Sequence, residues 1–157
     1  MLTPGFSLFL ALLRIAAGIS LLTSGLQKLS WFAHPPLQER FAEWAAHPAN
    51  AAVARYLGVV SQYPLTFSRV VALGELGLGT LLILGLLTPL AALLAFLMVL
   101  NFQFASSQMF SLAWLRGQSG LAYVLIYPVL GFGRAGTALG LDGLLARRLR
   151  KGSAAAT

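Results

Sequence analysis

Four stretches of this chain are apolar for about the distance a helix needs to cross a bilayer, about 20 residues at 1.5 Å each for a hydrocarbon core of about 30 Å. The first runs from about Gly5 to Leu26, the second from about Phe67 to Leu86 and the third from about Pro89 to Ser107. The fourth and shortest covers about Ser119 to Phe132. Thr3 and Pro4 read as the N-cap and first helical residue of the first stretch. Gly85 stops the second and Thr88-Pro89 starts the third, so these two are expected to form a tight antiparallel hairpin. The fold expected is all-α: a polytopic membrane protein built as an antiparallel four-helix transmembrane bundle. It forms a single domain over residues 1–152, followed by a disordered tail at 153–157.

Composition closes off the alternatives. Apolar residues make up 58% of the chain and charged residues only 10%, where about 25% charged is usual. Mean hydropathy is +0.80. Four acids and eleven bases cannot cover the surface of a soluble domain of 157 residues, so the apolar excess faces lipid. A cytosolic enzyme, a disordered regulator and a nucleic-acid module are excluded together. The cysteine count is zero, which removes disulfides, zinc knuckles, iron–sulfur clusters and Cys-x-x-Cys redox pairs. Any redox chemistry therefore uses a bound organic cofactor, a substrate carried in lipid or a partner subunit.

The first stretch reads as retained rather than as a cleaved signal peptide. No basic residue precedes it, Arg14 interrupts its middle and no small-x-small cleavage site follows. Of the basic residues, Arg147, Arg148, Arg150 and Lys151 crowd beside the last hydrophobic segment, the pattern of a cytoplasmic membrane flank rather than of a nucleic-acid site. With an even number of spans, these residues and Arg134 place both termini in the cytoplasm of a multi-pass inner (plasma) membrane protein. Lys28, Arg40, Arg55 and Arg69 in or beside the first loop work against this orientation, and Glu39 and Glu43 count for little in the rule.

That long loop, roughly residues 31–65, has helical periodicity. Leu37, Phe41 and Trp44 recur after Pro35-Pro36, and Val53, Leu57 and Val60 follow Asn50, a good cap. Two short amphipathic helices broken at His47-Pro48 are expected along the extracytoplasmic face, with Trp31, Phe32, Trp44, Tyr56 and Tyr63 as an aromatic belt. Two readings stay open: a cap shielding the bundle from water, or a lid over a lateral entrance for a lipid-soluble ligand.

Ionisable groups inside the spans carry the most functional information, because a lone charge at the membrane centre costs about 2.5–3.5 kcal/mol on insertion scales. Arg14 falls near the middle of the first span and Glu75 near the middle of the second. If both spans are centred at one depth, the two lie about 3–5 Å apart along the axis and are expected to pair as the catalytic centre. Arg14, Gly18, Leu21, Gly25 and Lys28 share one face of the first helix, and Glu75 and Gly79 share one face of the second. The glycines allow these faces to pack closely. Asn101 and Gln108, with Gln103 nearby, come from the third helix, and Tyr123 and Tyr127 from the fourth. Pro128 has no amide to donate to the Val124 carbonyl. Arg14, Glu75, Asn101 and Tyr127 are thus expected to converge at mid-depth, with Lys28, Gln103, Gln108 and Tyr123 above them as substrate-binding groups. The bland alternative is that these groups only hydrogen-bond the helices together.

Two apparent motifs fail. Gly74-Glu75-Leu76-Gly77-Leu78-Gly79 has G-x-x-G-x-G spacing inside a span, not the G-x-G-x-x-G that joins a strand to a helix in a dinucleotide site. His34 and His47, the only histidines, lie in the loop, where they do not form the facing axial ligands of a membrane haem. No metal, haem or flavin motif is evident.

Arg14-x-x-x-Gly18 with Gly25-Leu26-Gln27-Lys28-Leu29, the run Gly74 to Leu86, and Gly131-Phe132-Gly133-Arg134 followed by Leu141-Asp142 together resemble the DoxX family. The resemblance covers about residues 10 to 142, and the long first loop is similar to the DoxD branch. DoxD is the membrane subunit of thiosulfate:quinone oxidoreductase. The resemblance implies a membrane subunit of a quinone-linked redox complex, with quinone as the cofactor and a partner subunit or a homo-oligomer in the bilayer. The alternatives are a non-catalytic anchor or scaffold for a soluble partner, or a small transporter.

Overall fold

The computed structural model describes residues 4–118 and 120–154. Thr3 as a cap, Ser119 as the start of the fourth segment and residues 155–157 of the expected tail lie outside this range. All regular structure among the described residues is helical: α1 (Pro4–Gln27), a 3-10 turn at Leu29–Phe32, α2 (Leu37–Ala46), α3 (Ala51–Val60), α4 (Pro64–Leu84) and α5 (Thr88–Ala105). A second 3-10 turn at Gln108–Phe110 leads into α6 (Leu112–Leu115), α7 (Leu121–Phe132) and α8 (Leu141–Ala154).

Three of these helices, α1, α4 and α5, are long and apolar enough to cross a membrane. Their outward faces carry Phe9, Leu12, Val70, Leu73, Leu90, Leu93 and Leu97, all exposed. An apolar surface of that extent belongs against lipid. The fourth expected span is not one spanning helix: α7 has 12 residues, about 18 Å of rise. It begins at Gly120, whose φ of 104° breaks the helix on that side, and ends where the chain turns at Gly133. The expected disordered tail also differs, since α8 continues through Ala154 on the helical spacing of Leu141, Leu144, Leu145 and Leu149.

The packing core is the antiparallel contact of α1 and α4, the most extensive between any two helices described. Both helices bury residues at steps of three and four: Leu10, Ala11, Arg14, Ala17, Gly18, Leu21 and Gly25 on α1, and Ser68, Val71, Ala72, Glu75, Leu78, Gly79 and Leu82 on α4. These include the faces expected from the glycine stripe. The approach is so close that a Cβ added at Gly79 would lie 2.6 Å from the Leu22 amide nitrogen and 2.9 Å from the Gly18 carbonyl oxygen. The register follows: Gly18 lies beside Gly79 and Ile83, and Gly25 beside Glu75 and Leu76.

The α4–α5 hairpin turns as expected at Gly85, where φ is 63°. The Leu86 amide donates to the Leu81 carbonyl at 3.0 Å and the Gly85 amide to Leu82 at 3.2 Å, the Schellman closure of a helix end. On the other side, α5 packs on α7, with Ala91, Ala92 and Ala95 against Tyr127 and Leu130 in one core.

Two helices occupy the first loop, as the spacing predicts. The Asn50 side chain accepts from the amides of Ala52 at 2.9 Å and Val53 at 3.1 Å, capping α3, and α2 ends before His47. Leu37, Phe41, Val53, Leu57 and Val60 form a second core with Ala105, and Trp44, Phe67 and Phe102 pack against it. α2 and α3 thus sit on the ends of α4 and α5 as a packed aromatic cover.

Candidate functional site

The structure separates the two charges expected to pair. Arg14 is wholly buried, and its guanidinium donates to three backbone carbonyls: Ala135 at 2.8 Å, Leu139 at 2.9 Å and Ala138 at 3.4 Å. Glu75 instead accepts from Lys28, with Nζ 2.6 Å from Oε2. The correction comes from axial register. Glu75 lies level with Gly25, and Gly25 is 11 residues beyond Arg14, about 16 Å along the axis. The assumption that both spans are centred at one depth fails, because α1 overhangs the end of α4 and the segment 133–140 lies beside the overhang.

Arg14 therefore belongs to a clasp at one end of the bundle. The segment between α7 and α8 places Arg134 and Leu139 in the left-handed region, each at φ 50°, and Arg14 binds the carbonyls between and at these positions. Next to it, Asp142 caps α5: Oδ1 accepts from the Leu87 amide at 2.8 Å and Oδ2 from the Thr88 amide at 2.9 Å. The Asp142 amide in turn donates to the Gly85 carbonyl at 2.9 Å. Leu87 is itself left-handed at φ 51°, a strain of about 1–2 kcal/mol that the carboxylate holds in place. Gly85 lies so close to the guanidinium that any side chain there would collide with Arg14 Nη1. Arg14, Gly85 and Asp142, far apart in sequence, thus form one structural joint. Sequence reasoning missed the role of Asp142, although an acid that opens a helix one residue after a leucine was a signal for a cap.

The second polar centre is inside the bundle. Lys28 follows the last residue of α1, where the carbonyl end of the helix favours a cation. Its Nζ also donates to Ser24 Oγ at 2.5 Å and sits 5.3 Å from the centroid of the Trp31 ring. The Lys28 and Glu75 side chains are only 18% and 10% exposed. Sequence reasoning placed Lys28 above the centre rather than opposite Glu75. The signal that could have found it was Gly25, one turn before Lys28, as the close-approach point to α4.

Tyr127 is buried in the main core, packed with Leu78, Leu82, Ala92 and Leu130. On its other side a cleft of about 390 Å³ opens between α5 and α7, lined by Pro89, Ala92, Leu93, Phe96, Tyr127, Pro128, Gly131 and Phe132. Leu93 and Phe132 are exposed, so the cleft faces the apolar exterior, and Tyr127 is the one residue with a polar side chain in its lining.

The other expected binding residues do not join this centre. Asn101 Nδ2 donates to the Tyr56 hydroxyl at 2.5 Å on the side facing α3, and Gln108 is exposed at the second 3-10 turn. Tyr123 is 60% exposed, four residues from Tyr127 but turned outward. Gln103 packs against Gly120, and its Oε1 is buried without a partner. The four-way convergence of Arg14, Glu75, Asn101 and Tyr127 is thus replaced by the Lys28–Glu75 pair. Helical spacing assigned Asn101 to the same face as Ala105; Ala105 is buried in the core with α2 and α3, whereas Asn101 is exposed at its edge.

The DoxX family model matches residues 9–108; the chain belongs to this family and is a multi-pass membrane protein. No curated protein and no solved structure matches it. The matched region contains α1 with Arg14 and Lys28, and α4 with Glu75, and stops before α7 and the Asp142 cap.

Proposed function

We propose that this DoxX-family protein is the membrane subunit of a quinone-linked redox complex, of the DoxD-like kind, and that it takes the quinone laterally into the cleft between α5 and α7. The observation that carries the reading is an apolar cleft open to the lipid-facing surface, with Tyr127 as the one residue in its lining that has a polar side chain. The volume of about 390 Å³ lies within the usual range of about 300–1,000 Å³ for small-molecule sites. A quinone held there would supply two-electron, two-proton redox chemistry. This chain has no cysteine pair to carry electrons, and this reading takes them from a partner subunit.

The residues divide the remaining work. Leu93, Phe96 and Phe132 enclose an apolar ring and exclude water, and the Tyr127 hydroxyl donates a hydrogen bond to an oxygen on it. Lys28 orients the Glu75 carboxylate through their 2.6 Å ion pair, and this reading assigns proton transfer to that carboxylate. In this reading α7, continued by α6 at one end and the clasp at the other, serves as the fourth member of a transmembrane bundle. Both termini then lie on the cytoplasmic side of the inner membrane, and α2 and α3 form the cover on the opposite face.

Titration of the purified protein with a short-chain ubiquinone analogue tests the proposal. Saturable binding is expected, lost in Tyr127→Phe and in Gly131→Leu, which fills the cleft. A Cβ at Gly131 meets nothing nearer than the Ala92 Cβ at 3.5 Å, and the melting temperature of each variant checks that it is folded. Binding that both variants retain refutes the site. No binding at all, together with a co-purifying soluble protein, refutes the quinone reading in favour of an anchor.

A further inference from the structure

A second groove, of about 320 Å³, lies at the opposite edge of the molecule, where the end of α4 meets the first turns of α8. Leu84, Leu139 and Leu144 form its apolar side and Arg147 its rim, with Thr137 and Gly140 at its base. Leu84 is exposed on the outer face of α4, so the groove opens directly from the surface assigned to lipid. It lies at the depth where α4 ends and the chain turns into α5, the polar boundary of the apolar slab. α8 packs extensively against no other described helix. Its leucines at 141, 144, 145 and 149 are all exposed and share one face at helical spacing.

Charge selects what fills this groove. Arg147 and Arg148 are exposed on α8, and Arg150 and Lys151 follow them in sequence. The nearby acid, Asp142, accepts from the Leu87 and Thr88 amides and forms no ion pair with Arg147 or Arg148 among the described residues. We infer that the α4–α8 groove is a binding site for an anionic phospholipid, its acyl chain along Leu84, Leu139 and Leu144 and its phosphate on Arg147. α8 then lies in the interface as a basic amphipathic helix, leucines toward the acyl region, and the bound lipid ties it to the end of α4. This inference rests on α8 and the groove, not on the quinone site.

The test uses the full-length protein, stripped of lipid in mild detergent and titrated with dioleoylphosphatidylglycerol or dioleoylphosphatidylcholine, with native mass spectrometry and melting temperature as readouts. The anionic lipid is expected to bind saturably and raise the melting temperature, and the zwitterionic lipid to bind much more weakly. Arg147→Gln weakens the anionic lipid by about fivefold, the equivalent of about 1 kcal/mol per basic residue near a membrane surface, while the lipid-free melting temperature stays at that of the parent. Arg148→Gln, at a residue outside the groove, weakens it less. Equal binding of the two lipids, equal effects of the two arginine variants, or competition by inorganic phosphate at the affinity of the lipid overturns the proposal.

Discussion

Replacing Arg14 by glutamine tests whether this buried cation is a structural clasp or part of the reaction centre. The side chain is wholly buried and makes two short bonds, to Ala135 at 2.8 Å and Leu139 at 2.9 Å. Hydrogen bonds from a charged donor contribute about 1.5–3 kcal/mol each. Glutamine is shorter, recovers at most one neutral bond of about 1 kcal/mol, and avoids part of the cost of burying a charge. The expected net loss is about 2–4 kcal/mol, at the upper end for a point substitution. At about 2–4 °C per kcal/mol for a chain of this size, the melting temperature followed by far-UV circular dichroism in detergent falls by roughly 5–15 °C. Quinone binding by the folded fraction, measured below the transition, stays unchanged because Arg14 neither lines the cleft nor bonds to a residue that does. A variant that melts with the parent but no longer binds quinone would refute the structural assignment and return Arg14 to the reaction centre.

Other positions give sharper local outcomes. Asp142→Ala removes the cap from the Leu87 and Thr88 amides and is expected to cost about 1–2 kcal/mol, read as a lower melting temperature; parent-like melting argues against the cap. Gly79→Val drives a side chain into the Leu22 backbone and should abolish folded protein by size-exclusion chromatography. Asn50→Ala removes two cap bonds from α3 and should cost about 1 kcal/mol, speeding amide exchange in α3 while leaving quinone affinity unchanged.

Much of the architecture was legible from spacing alone. The three long spans, the Gly85 turn, the two loop helices and the α1 and α4 faces follow from 3.6-residue periodicity and turn chemistry. Axial register does not. Periodicity tells which residues share a face, but not how far one helix slides along another. That slide is set by where Gly18 and Gly79 allow the backbones to touch and by how far α1 overhangs to meet residues 133–140. Glu75 therefore found Lys28 instead of Arg14. The fourth stretch is a shorter helix than expected: Gly120, at φ 104°, stands before α7, which ends at Phe132 after 12 residues. Gly85, Leu141 and Asp142, parts of the resemblance to DoxX proteins, acquire a physical meaning only in three dimensions, where Asp142 caps a helix that begins 54 residues before it.

Two double-mutant cycles test the division into two polar centres most directly. One combines Lys28→Met with Glu75→Gln, the other Arg14→Gln with Glu75→Gln, with unfolding free energy measured for each. A buried pair that loses one partner is destabilised by about 3–5 kcal/mol, so the Lys28–Glu75 cycle is predicted to show a coupling energy above about 1 kcal/mol, and the Arg14–Glu75 cycle to be additive within about 0.5 kcal/mol. Strong coupling between Arg14 and Glu75, with none between Lys28 and Glu75, would contradict the account.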